Sequence, residues 1–243
     1  MGEPALLGQP PLGVCPRDER HWREGGLSVC EGVGIQRKEG IDQPDNPAEV
    51  FTVNSVAKAV VDRRHKCPMV WPANGDAVYA YISHGTANPG GLWRSLNRGK
   101  SWSLLIPFST NDRWSSHLIA DPNNATSLYF VRRDNEGTAG AGVWRVNNAN
   151  GAHTATRILT LTEPGPIAIT RSGRLYAISL PSDSGGSALR YTDNPTVAAP
   201  TWVKVNDAFL EGALGYAHHM AAGADGTLYI AKFDGGYLVG DPA

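Results

Sequence analysis

Residues 90–102 read GGLWRSLNRGKSW, a short apolar run followed by Ser95, Asn97, Gly99 and Trp102 at close, fixed intervals. Asn97 can accept hydrogen bonds from the backbone donors of a turn, and Gly99 relieves steric restriction there. Trp102 can anchor the turn by burying a large ring. None of these groups does chemistry, so the pattern is architectural. Its weight depends on whether the chain repeats the unit around it.

Beyond residue 67 it does. Tyr79 in GDAVYAYIS, Tyr129 in NATSLYFVR, Tyr176 in RSGRLYAIS and Tyr229 in ADGTLYIAK each follow an aliphatic residue and a polar or glycine-bearing turn, at spacings of 50, 47 and 53 residues. Before each turn stands an apolar run: PMVW, HLIA, PIAI and HHMAA. After the first three tyrosines come GLWRS, GVWRV and ALRYT, and then SWSLLI, TRILTL and TWVKV. Four short strands in roughly 50 residues predict radial blades, because one such sheet cannot bury both faces and must stack on neighbours. A strand-and-helix solenoid fares worse, since no ten-residue stretch shows a convincing helical period.

The later turns are degraded. Asn148 in VNNANG matches Asn97, with Gly151 displaced, and Asp193 in YTDNPTVAAPTW matches it, with Trp202 beyond an insertion. The fourth unit, ending AKFDGGYLVGDPA, has room for two strands and a brief third. VFTV at 50–53 could complete it from the N-terminal side. The reading is therefore an all-β propeller over residues 49–243 with about four recognisable four-stranded blades. It is either an open arc or a ring closed by that strand or by a second chain. An arc leaves strand edges and an apolar blade face that invite self-association.

Composition divides the 243 residues. The first 66 hold nine basic and ten acidic residues, and the other 177 hold thirteen of each. Residues 1–48, with GQPPLG and IDQPDNPAEV, are expected to be irregular or poorly ordered. NSVAKAVVDRRHK at 54–66 could form a short helix or a strand. GVGIQRKEG shows no preceding strand pattern, no Lys-Ser/Thr at the needed offset and no following helix pattern, so it does not read as a phosphate loop, and no cofactor is expected. With 22 basic and 23 acidic residues, the net charge of -1 gives no global pull toward nucleic acid or an anionic membrane. DRRHK is the sole basic cluster, and no run approaches the ~20 apolar residues of a membrane span. The start lacks the pattern of a secretion signal, which leaves location open. Cys15, Cys30 and Cys67 match neither a disulfide framework nor a metal knuckle; a Cys15–Cys30 bridge is conceivable only in an exported protein.

Ser95–Trp102 resembles the Asp-box, or BNR, repeat of sialidase-like β-propellers, with Asn97 where the Asp usually stands. GGLWRSLNRGKSW together with IADPNNATSLYF resembles the repeats of xyloglucanase-type glycoside hydrolases and of the related sortilin and photosystem-assembly propellers. The resemblance covers about residues 67–239. It implies a propeller in which the box turns lie remote from the active centre. It also implies that function is open, because the box occurs in enzymes and in binding propellers alike. Xyloglucanase-type enzymes use two aspartates from separated blades, and neither aligns to a residue here. A sialidase would need three arginines around a carboxylate. Arg113, Arg132 and Arg133 suffice in number, but two are adjacent and would face opposite ways on a strand.

Blade geometry selects the candidate site. In a propeller the innermost strand begins at the rim where the second and third strands are joined, and binding residues converge there. The loops at 83–91, 132–142 and 180–187 and those at 111–117, 162–166 and 212–219 fall on that rim. Asp112, Asp134, Glu136 and Asp183 are the candidate carboxyl groups. Glycoside hydrolysis needs two of them at roughly 5–5.5 Å for retention or 6.5–9.5 Å for inversion; otherwise they are solvated loop carboxylates. Arg113, Trp114, His117, Arg132, Tyr216 and His218 are candidate ligand contacts: planar rings stack on pyranose faces, and charged groups bond hydroxyls. His218 and His219 are adjacent and no HExxH accompanies them, so no metal is expected. Asp121 in ADPNN reads as a turn former, and Trp93 and Trp144 as packing residues between blades. Ser182-Asp183-Ser184 has no elbow glycines and reads as a flexible turn. The expected function is a carbohydrate- or protein-binding module, with a hydrolase of β-linked polysaccharide as the alternative.

Overall fold

The computed structural model describes residues 27–30, 34–37, 52–53, 69–70, 72, 77–82, 90–99, 101–108, 117–133, 140–180, 187–205, 214, 217–232 and 237–240. Strands β1 (Leu27–Cys30), β2 (Gly34–Arg37) and β3 (Thr52–Val53) form a three-stranded antiparallel meander. Blade 1 is β4 (Met69–Val70), β5 (Val78–Ile82), β6 (Gly91–Ser95) and β7 (Ser103–Pro107). Blade 2 is β8 (Leu118–Asp121), β9 (Asn124–Arg132), β10 (Gly142–Asn147) and β11 (Thr154–Thr160). Blade 3 is β12 (Pro164–Ile169), β13 (Leu175–Ser179), β14 (Ala188–Thr192) and β15 (Val203–Lys204). Blade 4 is β16 (Ala217–Ala222), β17 (Leu228–Lys232) and β18 (Tyr237–Gly240). The described residues contain no α-helix.

All four marker tyrosines lie on second strands: Tyr79 on β5, Tyr129 on β9, Tyr176 on β13 and Tyr229 on β17. Second strands of stacked blades are covered on both faces, so they read as continuous apolar runs rather than as an alternation. All five residues of β13 are buried for this reason. Three apolar seams follow one rule, in which the tyrosine face of each blade packs on the opposite face of the next. Tyr79 and Tyr81 meet Leu128 and Phe130. Tyr129 and Val131 meet Ile167, Leu175 and Ala177. Tyr176 and Ile178 meet Met220, Leu228 and Ile230. Burying one such large side chain contributes about 1.5–3 kcal/mol, so the seams hold the arc together. Polar staples reinforce the first two: Arg94 on β6 and Arg145 on β10 each donate to carbonyls in the third-to-fourth-strand turn of the following blade.

The β6–β7 turn is the one that the SLNRGKSW stretch builds. Arg98 and Gly99 take left-handed φ values of 57° and 81°. The Gly99 amide donates to Ser95 Oγ at 2.7 Å, and the Ser95 hydroxyl donates to Asn97 Oδ1 at 3.0 Å. Asn97 Oδ1 also accepts from the Ser101 amide at 2.9 Å. The Trp102 indole donates to the Gly99 carbonyl at 3.2 Å, closing the turn.

Three expectations are corrected. The strand at 52–53 pairs with β2, through Gln36↔Val53 and Arg37↔Thr52, rather than completing blade 4. Leu27–Cys30 and Gly34–Arg37, within the 1–48 segment expected to be largely irregular, pair as the antiparallel strands β1 and β2. Asp193 is not the blade 3 counterpart of Asn97: Thr192 lies opposite Leu175 as Ser95 lies opposite Val78, which makes Asn194 the equivalent residue. The Thr192 hydroxyl donates to Asn194 Oδ1 at 3.0 Å, as Ser95 does to Asn97. The expected helix or strand at 54–66, with its DRRHK cluster, and Cys15 and Cys67 lie outside the described residues.

Candidate functional site

The rim selected from blade geometry is real in the backbone. The Val131 amide, near the end of β9, donates to the His117 carbonyl just before β8 at 3.1 Å. The Leu180 amide, just past β13, donates to the Glu163 carbonyl just before β12 at 2.9 Å. At this end, then, the innermost strands begin where the second strands finish.

Side chains of three blades gather there. His117 of blade 2 is buried, and its ring lies 5.4 Å from that of exposed His219 of blade 4, centroid to centroid and tilted by 51°. This ring-to-ring contact brings the non-adjacent blades 2 and 4 together at this end. His218 is half-buried, at the irregularity between Ala217 and His219 in β16. Arg133, following β9, forms an ion pair with Glu163 before β12, bridging blades 2 and 3. Both side chains are about a quarter exposed, so the pair screens poorly and fixes the two loops against each other.

Arg132 turns elsewhere. Its guanidinium lies 5.8 Å from the ring centroid of Phe108 of blade 1 and runs beside Gly140, so it covers the seam between blades 1 and 2. Trp144 packs in the same seam, its ring 6.2 Å from that of Phe130 and its indole N–H donating to the Gly140 carbonyl at 2.9 Å. Asp121 is a turn former with a second task. Its Oδ1 accepts from the Asn123 amide at 2.8 Å, and its Oδ2 accepts from the Tyr129 hydroxyl at 3.0 Å. Burial first, then the charge and hydrogen bond of Asp121, push the Tyr129 phenol above its ordinary pKa.

Asp112, Arg113, Trp114, Asp134, Glu136, Asp183 and Tyr216 lie outside the described residues. Glu163 and the His117–His219 contact were not singled out from the sequence. Glu163 stands in the TEPGP loop already placed on this rim, so its position was available; the histidine contact joins non-adjacent blades and left no local signal. Among the described residues no group of three or more His, Cys, Asp or Glu side chains could hold a metal ion. No helix among them is long and apolar enough to cross a membrane.

The opposite rim carries a groove of about 420 Å³ between the turns of blades 3 and 4, lined in part by Arg174, Tyr176, Asp193 and Asp225. Arg174 is engaged there. Its Nε donates to Asp193 Oδ1 at 2.5 Å, and its guanidinium lies 4.4 Å over the Tyr191 ring. Asp193 thus serves the arginine rather than its own turn.

No protein-family model matches the chain, and no curated protein matches it. Solved structures do. A gluconolactonase from Xanthomonas campestris aligns with a TM-score of 0.57 at 12% identity, over 91% of this chain and 70% of that one. The GH74 xyloglucanase from Xanthomonas campestris aligns with a TM-score of 0.55 at 14% identity, over 88% of this chain; the match spans only 34% of the xyloglucanase. At these identities the likeness is one of fold, and the fold is a β-propeller.

Proposed function

We propose that this chain is a ligand-binding propeller module whose binding face is the rim where the innermost strands begin, and that it takes a glycan there. The observation that carries the reading is the meeting of His117 and His219 at 5.4 Å, with the Arg133–Glu163 pair on the same rim. The exposed His219 ring offers a flat face to a pyranose and an N–H group to its hydroxyls, buried His117 backs that ring, and the ion pair holds the neighbouring loops in place. The expected contacts Arg113, Trp114, Tyr216 and His218 lie within five residues of His117 or His219 in the chain. Arg132 supports the rim from the blade 1 seam rather than by touching ligand. The fold also serves proteins described as a xyloglucanase and a gluconolactonase, but a shared fold transfers no residue roles.

The test is calorimetric titration with xyloglucan and β-glucan oligosaccharides, run beside an assay for released reducing sugar. Binding without release is the expected result, weakened at least ~10-fold in His219→Ala, which removes a rim contact worth about 1.4 kcal/mol. Ser172→Ala, in the opposite groove, should leave it unchanged. No binding to any of these sugars removes the glycan reading and leaves a protein ligand as the competitor. Release of reducing sugar that disappears in Asp112→Ala or Asp134→Ala replaces binding with hydrolysis.

A further inference from the structure

Tyr129 and Arg145 face each other across β9 and β10, as Tyr79 and Arg94 do across β5 and β6. Directly opposed residues project from one face of a sheet, here into the seam with the following blade. In blade 2 the pair has a carboxylate beside it. Buried Asp121 accepts from the Tyr129 hydroxyl at 3.0 Å, and the phenol feels the charges of both Asp121 and Arg145. Blade 3 keeps all three groups in another arrangement, with Arg174 bonded to Asp193 and to Tyr176. Blade 1 has the tyrosine and the arginine without the acid. Val70 lies opposite Tyr79 as Ile119 lies opposite Tyr129, so buried Pro72 stands in the place of Asp121.

Two buried donors are left over. Among the described residues nothing accepts from the wholly buried Tyr79 hydroxyl or from Arg94 Nε, while Arg94 Nη1 is spent on the Ala149 and Gly151 carbonyls. Arg145 Nε also lacks a hydrogen bond, but its charge has Asp121 nearby. Burial pushes the Tyr79 phenol up and the Arg94 charge opposes it, so the cation lies close to the hydroxyl. A buried donor without an acceptor costs its full desolvation.

We propose that the seam between blades 1 and 2 binds a small monovalent anion of chloride type, which accepts from the Tyr79 hydroxyl and Arg94 Nε. The anion supplies the negative charge that blade 2 takes from Asp121. A guanidinium with a hydroxyl donor beside it favours an anion, because hydrogen bonds to a charged acceptor are about twice as strong as neutral ones. Water fits less well. Its own two protons need acceptors, and Leu128, Phe130 and Val146 in the same core offer none. The site is separate from the proposed glycan rim and stands whether or not sugars bind there.

Thermal unfolding of the full chain in rising sodium chloride tests the site, with sodium methanesulfonate holding the ionic strength fixed. Above the Kd of the anion, each tenfold rise in chloride should raise the midpoint by about 3–5 °C. Tyr79→Phe should lose this dependence, and without chloride it should be at least as stable as the parent, because it removes a donor that has no acceptor. Tyr129→Phe, whose hydroxyl is already matched to Asp121, should keep the full dependence. Crystals soaked in bromide should give an anomalous peak between Tyr79 Oη and Arg94 Nε. A midpoint indifferent to the exchange of chloride for methanesulfonate overturns the proposal. So does a Tyr79→Phe protein that responds to chloride as the parent does, or a bromide soak with no anomalous peak there, which is the mark of water alone.

Discussion

The guanidinium of Arg145 stands 2.6 Å from the carbonyl oxygen of Pro195, tying the third strand of blade 2 to the β14–β15 turn of blade 3. The same Nη1 donates to the Val197 carbonyl at 2.8 Å. One blade earlier, Arg94 donates to Ala149 at 2.9 Å and to Gly151 at 3.0 Å. The position that would repeat the device in blade 3 is Tyr191, which carries Arg174 over its ring instead. Arg145 is buried and Arg94 only partly so. Arg145→Met, which keeps the apolar stem, is expected to cost about 2–4 kcal/mol, because it strips a charged donor from a buried site. Arg94→Met should cost about 1 kcal/mol, since water can replace part of what is lost. Urea unfolding measures both, and equal costs would contradict the role assigned to burial.

Alkaline conditions should weaken the fold through its buried phenols. Burial raises the Tyr79 pKa, with Arg94 partly opposing, and burial with Asp121 raises that of Tyr129. Below about pH 10 both folded and unfolded chains keep these protons. Above it the unfolded chain ionises first, so the folded state holds more protons and stability falls as pH rises, by about 1.4 kcal/mol per pH unit for each such group. Tyr129→Phe should remove one share of that slope above about pH 10. At neutral pH it should cost about 1–2 kcal/mol, because the buried Asp121 carboxylate loses a donor. Unfolding midpoints of the two proteins that run parallel through the alkaline range would refute the assignment.

The turn register can be tested by comparing neighbours. Ser95 and Thr192 are each 1% exposed and each supplies the hydroxyl that organises its turn. Ser95→Ala is expected to cost about 1–2 kcal/mol, since the buried Gly99 amide loses its acceptor, and Thr192→Val about 1 kcal/mol. Asp193→Ala should cost less than either, below about 1 kcal/mol, because its pair with Arg174 is largely solvated. Were Asp193 the organising residue, the order would invert. Thermal unfolding ranks the three.

These comparisons show which parts of the molecule sequence can carry. The tyrosine pitch predicts the blades because a second strand buried on both faces has no choice but to be apolar at every position. The SLNRGKSW turn is readable because all its partners lie within eight residues. Asp193 misleads because it was matched to Asn97 by chemical similarity, whereas strand register places Asn194 there. The arginine staples leave a trace, the repeated Trp-Arg of 93–94 and 144–145, but their partners are backbone carbonyls 50 or more residues away. No side chain marks such an acceptor. The β1–β2 pairing was not read from the sequence, because its two four-residue strands stand in a charged, proline-containing segment.

Glycine at the start of the third strand is the remaining fixed point of the blade. A Cβ at Gly142, whose φ is +140°, would overlap the carbonyl oxygen of Leu159 on the paired strand β11. A Cβ at Gly91 would likewise overlap the Leu104 side chain and the Ile106 carbonyl on β7. In both blades the register shifts one residue later, between Val143 and Trp144 and between Leu92 and Trp93, so the fourth strand crowds the glycine where the ladder bends. Relief requires the backbone to move, because a carbonyl oxygen cannot swing aside as a side-chain tip can. Gly142→Ala is therefore expected to cost about 3 kcal/mol or more, combining a disfavoured φ with overpacking. Gly151, in the turn that joins β10 to β11, has nothing within 4 Å of an added Cβ. Gly151→Ala should stay within about 0.5 kcal/mol of the parent and keep the carbonyl that accepts from Arg94. Urea unfolding of the pair separates the two effects, and a Gly142→Ala protein as stable as Gly151→Ala would show that β11 can retreat from blade 2 without cost.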